Sequence, residues 1–106
     1  MYKEKIINAI QGQNMLRINF RKETDNSFVE RDMAPYDVFP KEDPKSRLQR
    51  DILLGYDYSD FNHKGHVATV YLDTIQNVTV LNENFNGAEI KKLINPKQSP
   101  NISRNW

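Results

Sequence analysis

Residues 31–39, RDMAPYDVF, limit the fold more than any other stretch. Val29 and Met33 place the apolar side of an extended chain on odd positions, whereas Tyr36 and Val38 place it on even ones. Side chains of a β-strand alternate strictly between faces, so a switch of phase requires the backbone to bulge or turn a corner. Pro35 sits at the switch, and within sheets proline is confined to bulges and edges. A chain with such a strand is expected to build a strongly bent sheet rather than a flat one.

The rest of the chain supplies the other strands. MLRINFRK (15–22) alternates Leu16, Ile18 and Phe20 inward with Arg17, Asn19 and Arg21 outward, and the turn cluster ETDNS leads into a second strand over 28–39. PKEDPKSRLQR (40–50), with two prolines and six charges, reads as an exposed loop. DILLGYDY (51–58) carries the apolar run Ile52-Leu53-Leu54, which predicts burial on both faces. HVATVYLDTIQNVTVL (66–81) is extended throughout but too long for one ordinary strand. A single helical turn near Asp73-Thr74-Ile75 divides it into strands at 66–72 and 77–82. A helix over 2–12 presents Ile6, Ala9 and Ile10 on one side and ends at Gly12. A second helix within 84–95 has Ile90, Leu93 and Ile94 as its stripe, joined by Phe85.

The expected fold is therefore mainly β: a small five-stranded SH3/Sm-like barrel with a short N-terminal helix and a short C-terminal helix. Residues 1–95 form one domain, and 96–106, with two prolines and a lone tryptophan, is expected to be a disordered tail.

Composition excludes several functions. The chain has 106 residues and no cysteine, which rules out disulfide scaffolds, thiolate metal sites and cysteine nucleophiles. Fifteen basic residues face fourteen acidic ones, a formal charge of +1, so nucleic-acid binding would need a local patch. MYKEKIINAI lacks the apolar core of a secretory signal, and no segment reaches the roughly 18 apolar residues of a membrane span. The expectation is a soluble, cytoplasmic protein without membrane contact, in which Asn77-Val-Thr79 and Asn101-Ile-Ser103 match the glycosylation pattern by chance.

Several side chains are candidates for binding. Arg31 with Tyr36 can face a groove and take a carboxylate or phosphate; the plainer reading pairs Arg31 with Glu30, Asp32 or Asp37. Tyr56, Tyr58, Phe61, His63, Lys64 and His66 interleave aromatic and basic groups able to stack on a planar ligand, or they simply form a polar turn. Asp57, Asp60 and Asn62 do not follow the calcium-loop spacing, and His63 with His66 would need further metal ligands from elsewhere. Arg17, Arg21, Lys22, Arg47 and Arg50 form a possible phosphate-binding stripe, diluted by Glu23, Asp25, Glu42 and Asp43. There is no phosphate loop, nucleophile elbow or paired-carboxylate setting, so no catalytic residue, metal or cofactor is assigned and no enzyme is expected.

The order AI…LRINF…R-x-x-x-P-Y…LLGYD…V-Y-L-D-T-I-x-x-V-T-V-L…F resembles the WYL-domain family of bacterial regulators over residues 6–85. Arg31, Pro35 and Tyr36 occupy its Arg-x-x-x-Pro-Tyr landmark, Leu53, Gly55, Tyr56 and Asp57 fit its third strand, and Leu72, Asp73 and Ile75 fit its last landmark. The family's Trp-Tyr pair falls on Asp51 and Ile52, and two of its arginines fall on Tyr71 and Thr74. The resemblance implies an Sm-like barrel and a regulatory module that binds a small anionic ligand or nucleic acid through Arg31, Tyr36, Tyr56 and Tyr71. The family's helix-turn-helix has no room in the roughly fifteen residues before the first strand, so a lone barrel is expected. The alternative is a barrel with a decayed pocket that docks a protein partner or a second copy.

Overall fold

A computed structural model describes residues 2–58, 65–94, 100–104 and 106. The chain folds as α1 (Tyr2–Gly12), β1 (Asn14–Arg21), β2 (Phe28–Glu42), β3 (Gln49–Asp57), β4 (His66–Tyr71), a one-turn 3-10 helix (Leu72–Thr74), β5 (Ile75–Asn84) and α2 (Gly87–Leu93). The strands make one antiparallel sheet in the order β4-β3-β2-β1-β5, the mainly β, barrel-like arrangement expected. None of the described helices is long and apolar enough to cross a membrane.

The phase switch is where the sheet bends. Up to Met33, β2 pairs with β1; from Met33 onward it pairs with β3, so Met33 alone belongs to both ladders. The register slips between Pro35↔Gly55 and Asp37↔Leu54, which leaves Tyr36 as the extra, bulged residue. The flip therefore falls one residue later than the alternation suggested. Ala34 and Tyr36 share one face, and Val38 returns to the face of Met33.

That bend creates two apolar clusters. Ile6, Ala9 and Ile10 of α1 close over Leu16, Ile18, Met33, Val38, Leu53 and Val78. On the other face Met15, Ala34, Tyr36 and Leu54 meet Phe85, Ile90 and Ile94. Neighbours Leu53 and Leu54 thus bury in opposite directions, as the uninterrupted apolar run of β3 predicts. Leu93 is the exception in the stripe expected for α2, being 44% exposed.

The expected loop at 40–50 is strand at both ends and loop only over 43–48. Pro40↔Asp51, Lys41↔Arg50 and Glu42↔Gln49 extend the ladder, and Pro40 is tolerated because β1 no longer flanks β2 there. Only 43–48 turn, and they repeat the construction of 22–27. The backbone N–H groups of Lys22 and Asp43 donate to the carbonyls of Ser27 and Leu48, both at 2.8 Å. Asn26 and Arg47 occupy the same left-handed position, with φ of 60° and 63°. The first helix ends on Gly12, but it is Gln13 that turns left-handed, at φ 55°. The predicted one-turn break is present, locked by the Thr74 hydroxyl donating to the Tyr71 carbonyl at 2.7 Å. Asn86 caps α2, its side-chain oxygen accepting from the N–H groups of Ala88 and Glu89 at 3.0 and 3.3 Å.

Gly55, opposite Pro35 at the corner, makes room for Met33. A Cβ there would lie 2.6 Å from Met33 Sδ and 3.1 Å from its Cγ, and Met33 is fully buried. Gly55→Ala is expected to lower stability by about 1–2 kcal/mol through overpacking, read as a reduced urea midpoint.

Of the segment 96–106, residues 100–104 and 106 are described. Residues 101, 102 and 104 bond to β2, and Trp106 packs on Phe85. The physical reason is that Asp37 is turned toward them by the bulge, as taken up below.

Candidate functional site

The curl of the sheet brings β4 across toward the β1–β2 hairpin and leaves a cavity of about 440 Å³ between them. Phe20, Val29 and Val70 give it an apolar wall, and Arg21 and Lys22 stand at its rim. Arg31 enters from the start of β2, and Asp57 and His66 from the ends of β3 and β4. The Asp57 side chain is only 3% exposed; Arg31 Nε lies 3.7 Å and His66 Nε2 3.8 Å from its Oδ2. These are ion-pair rather than hydrogen-bond separations.

Two of the four predicted ligand-binding residues meet here, Arg31 and Tyr71. The partner of Arg31 is Asp57, not the nearby Glu30, Asp32 or Asp37 of the plainer reading, because β2–β3 pairing sets Asp57 opposite Met33. Tyr36 is elsewhere. As the bulged residue it points into the cluster beneath α2, 6% exposed, and its carbonyl accepts from Arg104 Nη1 at 3.0 Å. Burial pushes its hydroxyl pKa up, Asp37 adds to the rise, and Arg104 opposes it. Tyr56 also lies outside the cavity. Its hydroxyl donates to the Gly65 carbonyl at 2.9 Å and its ring meets Tyr58 edge-on at 5.2 Å.

Two members of the predicted basic stripe, Arg17 and Arg50, are neutralised by carboxylates. Arg17 forms a two-pronged pair with Asp32 at 2.8 and 3.1 Å, with Glu30 at 3.6 Å; Asp32 raises its pKa further. Arg50 is enclosed by Asp73 at 2.6 Å, Glu23 at 2.8 Å and Asp43 at 3.0 Å, and its guanidinium lies 3.7 Å from the centre of the Tyr71 ring. Of the stripe, Arg21 and Lys22 line the cavity, and Arg21 makes a hydrogen bond to Asn26 at 2.9 Å. Phe61, His63 and Lys64 lie outside the described residues. Among the described residues no group of three or more metal-ligating side chains comes together.

Sequence reasoning gave Asp57 and Lys22 no part in the pocket. Asp57 matched the LLGYD landmark, but its burial beneath Arg31 depends on a register that the bulge sets.

No protein-family model matches the chain, and no curated protein does. Among solved structures it is similar to the proteasome accessory factor B/C (PafBC) of Arthrobacter aurescens, with a TM-score of 0.63 and 18% identity. The likeness is one of fold. The match covers 84% of this chain but 12% of that one.

Proposed function

We propose that this chain is a non-enzymatic, WYL-like regulatory accessory module that binds a small anionic ligand in the cavity between β4 and the β1–β2 hairpin. One observation carries the reading: the contrast between Arg31 and the other arginines. Arg17 and Arg50 are each held by carboxylates at hydrogen-bond distance. Arg31 touches its cavity with a single 3.7 Å ion pair among the described residues, which leaves most of its planar donor fork for an incoming carboxylate or phosphate. Arg21 and Lys22 add positive charge at the rim, and Tyr71 with Phe20 offers apolar faces for the body of the ligand. Fold likeness to a regulator supports the regulatory half of the reading. The pairing of Arg17 and Arg50 with carboxylates interrupts the outer stripe and favours a small ligand over nucleic acid, whose backbone would need several unpaired cations in a row.

Thermal denaturation with nucleotides, sugar phosphates, dicarboxylates and short DNA and RNA tests it. A ligand at ten times its Kd stabilises the folded state by about 1.4 kcal/mol, a shift of roughly 5–10 °C in a domain of this size. Arg31→Gln is expected to abolish the shift and Arg17→Gln to preserve it. A shift that survives Arg31→Gln removes the ligand from this cavity. No shift from any compound leaves the barrel as a protein-docking unit.

A further inference from the structure

Residues 100–104 and 106 lie against the body of the protein as a bound peptide would. Asp37, 4% exposed, accepts two successive backbone N–H groups, those of Asn101 at 3.0 Å and Ile102 at 2.9 Å. The Asn101 side chain donates to the Val38 carbonyl at 2.8 Å, and Gln11 donates to the Ser103 carbonyl at 3.1 Å. Arg104 donates to the Tyr36 carbonyl and spreads 4.5 Å over the indole of Trp106. The indole N–H donates to the Ile10 carbonyl at 2.8 Å, at the end of α1, and the ring meets Phe85 edge-on at 5.3 Å.

The receiving surface is shaped for this sequence. Three side chains of the segment, Asn101, Arg104 and Trp106, each meet a main-chain carbonyl of the body. Gly87 opens the space for the indole: a Cβ there would lie 2.6 Å from two of the ring carbons. Backbone capture by a carboxylate, side chains reading fixed carbonyls and an aromatic anchor in a pocket are the parts of a peptide-recognition groove.

We propose that the trough between the β2 bulge, the end of α1 and the start of α2 is a peptide-docking site, and that its occupant in trans is the same segment of a second copy of this chain. Each copy carries both halves of the contact. The contacts made within one chain or between two are identical, so the balance is set by the effective concentration of the tethered segment. Wild-type chains favour their own segment in dilute solution and exchange when that segment is disabled. The exchange is independent of any ligand in the cavity.

Two full-length variants test it. Gly87→Ala blocks the indole site and leaves the segment intact. A chain with Arg104→Ala and Trp106→Ala keeps the groove and disables the segment. Each alone is expected to sediment as a monomer, and an equimolar mixture to form a 1:1 complex. A fluorescent peptide of sequence PNISRNW is expected to bind the second variant and neither the first nor wild type at equal concentration. Should Gly87→Ala fail to fold by circular dichroism, Asp37→Asn serves as the groove variant. A mixture that sediments only as monomers, or a peptide that binds the blocked groove as well as the open one, overturns the proposal.

Discussion

Asp37→Ala is expected to lower the unfolding free energy by about 3 kcal/mol, among the largest effects of any single substitution here. The Asp37 side chain is buried, and its Oδ1 accepts the backbone N–H of Val38 at 3.0 Å as well as those of Asn101 and Ile102. Alanine would leave three main-chain donors without an acceptor, each costing about 1–3 kcal/mol if water does not replace it. Water will reach Asn101 and Ile102 once the segment lifts, which brings the sum down to the value given. Val38 is fully buried beside the bulge and has less recourse. Urea denaturation reads the total, and amide exchange divides it: Asn101 and Ile102 should lose protection at low denaturant, before global unfolding. A loss below about 0.5 kcal/mol, as for an ordinary surface site, would mean that these bonds do not hold the segment.

Asp37 also shows where the sequence stops being legible. A phase switch between Met33 and Val38 is visible in the residue order, and so is the break before β5, because both follow from apolar alternation and limits on strand length. Ile52-Leu53-Leu54 announced a strand buried on both faces, and it is one. The position of the flip to within one residue is not visible. Tyr36 can sit on either side of a bulge with equal apolar satisfaction, and only the ladder to β3 decides, so Tyr36 was expected beside Arg31 and lies on the other face.

The segment 100–104 was illegible for a different reason. Each anchoring bond pairs a side chain with a main-chain N–H or C=O, and the main-chain half, which every residue carries, leaves no compositional mark to show which side chains will meet it. The hairpin tip at 40–50 misled through composition, since lysine, glutamate and proline discourage strand assignment while an edge ladder accommodates them. In the cavity, Arg31 was legible as a residue and Asp57 was not its evident partner. Their meeting requires the corner in β2 that carries Met33 from one ladder to the other.

Arg50→Met is expected to cost about 2 kcal/mol near neutral pH, with a loss that shrinks in acid and in high salt. Arg50 joins three turns: Glu23 from the β1–β2 turn, Asp43 from the β2–β3 turn and Asp73 from the 3-10 helix. Its side chain is 15% exposed, and methionine keeps an apolar stem against Tyr71. Removing the guanidinium leaves three carboxylates facing one another without a counter-charge. Glu23 and Asp73 are half exposed, so water and ions screen much of that repulsion, and the estimate stays below that for a fully buried pair.

The pH dependence follows from the direction of the carboxylate shifts. The hydrogen bond from Arg50 holds Asp73 below the ordinary carboxylate range. Asp43 is held down first by the Lys45 N–H and then by Arg50. A depressed folded pKa contributes stability that is complete above the unfolded value and is lost as pH falls through the folded one. Wild type is therefore expected to lose stability below about pH 4, and Arg50→Met to lose less, so that their urea midpoints converge in acid. Asp43 retains its bond to Lys45, which leaves a small residual slope in the variant. Because Glu23 and Tyr71 line the cavity, the same substitution should loosen its rim and weaken any ligand that Arg31 grips, without touching Arg31. Parallel stability curves from pH 7 to 3 would show that Arg50 contributes no ionic link between the turns.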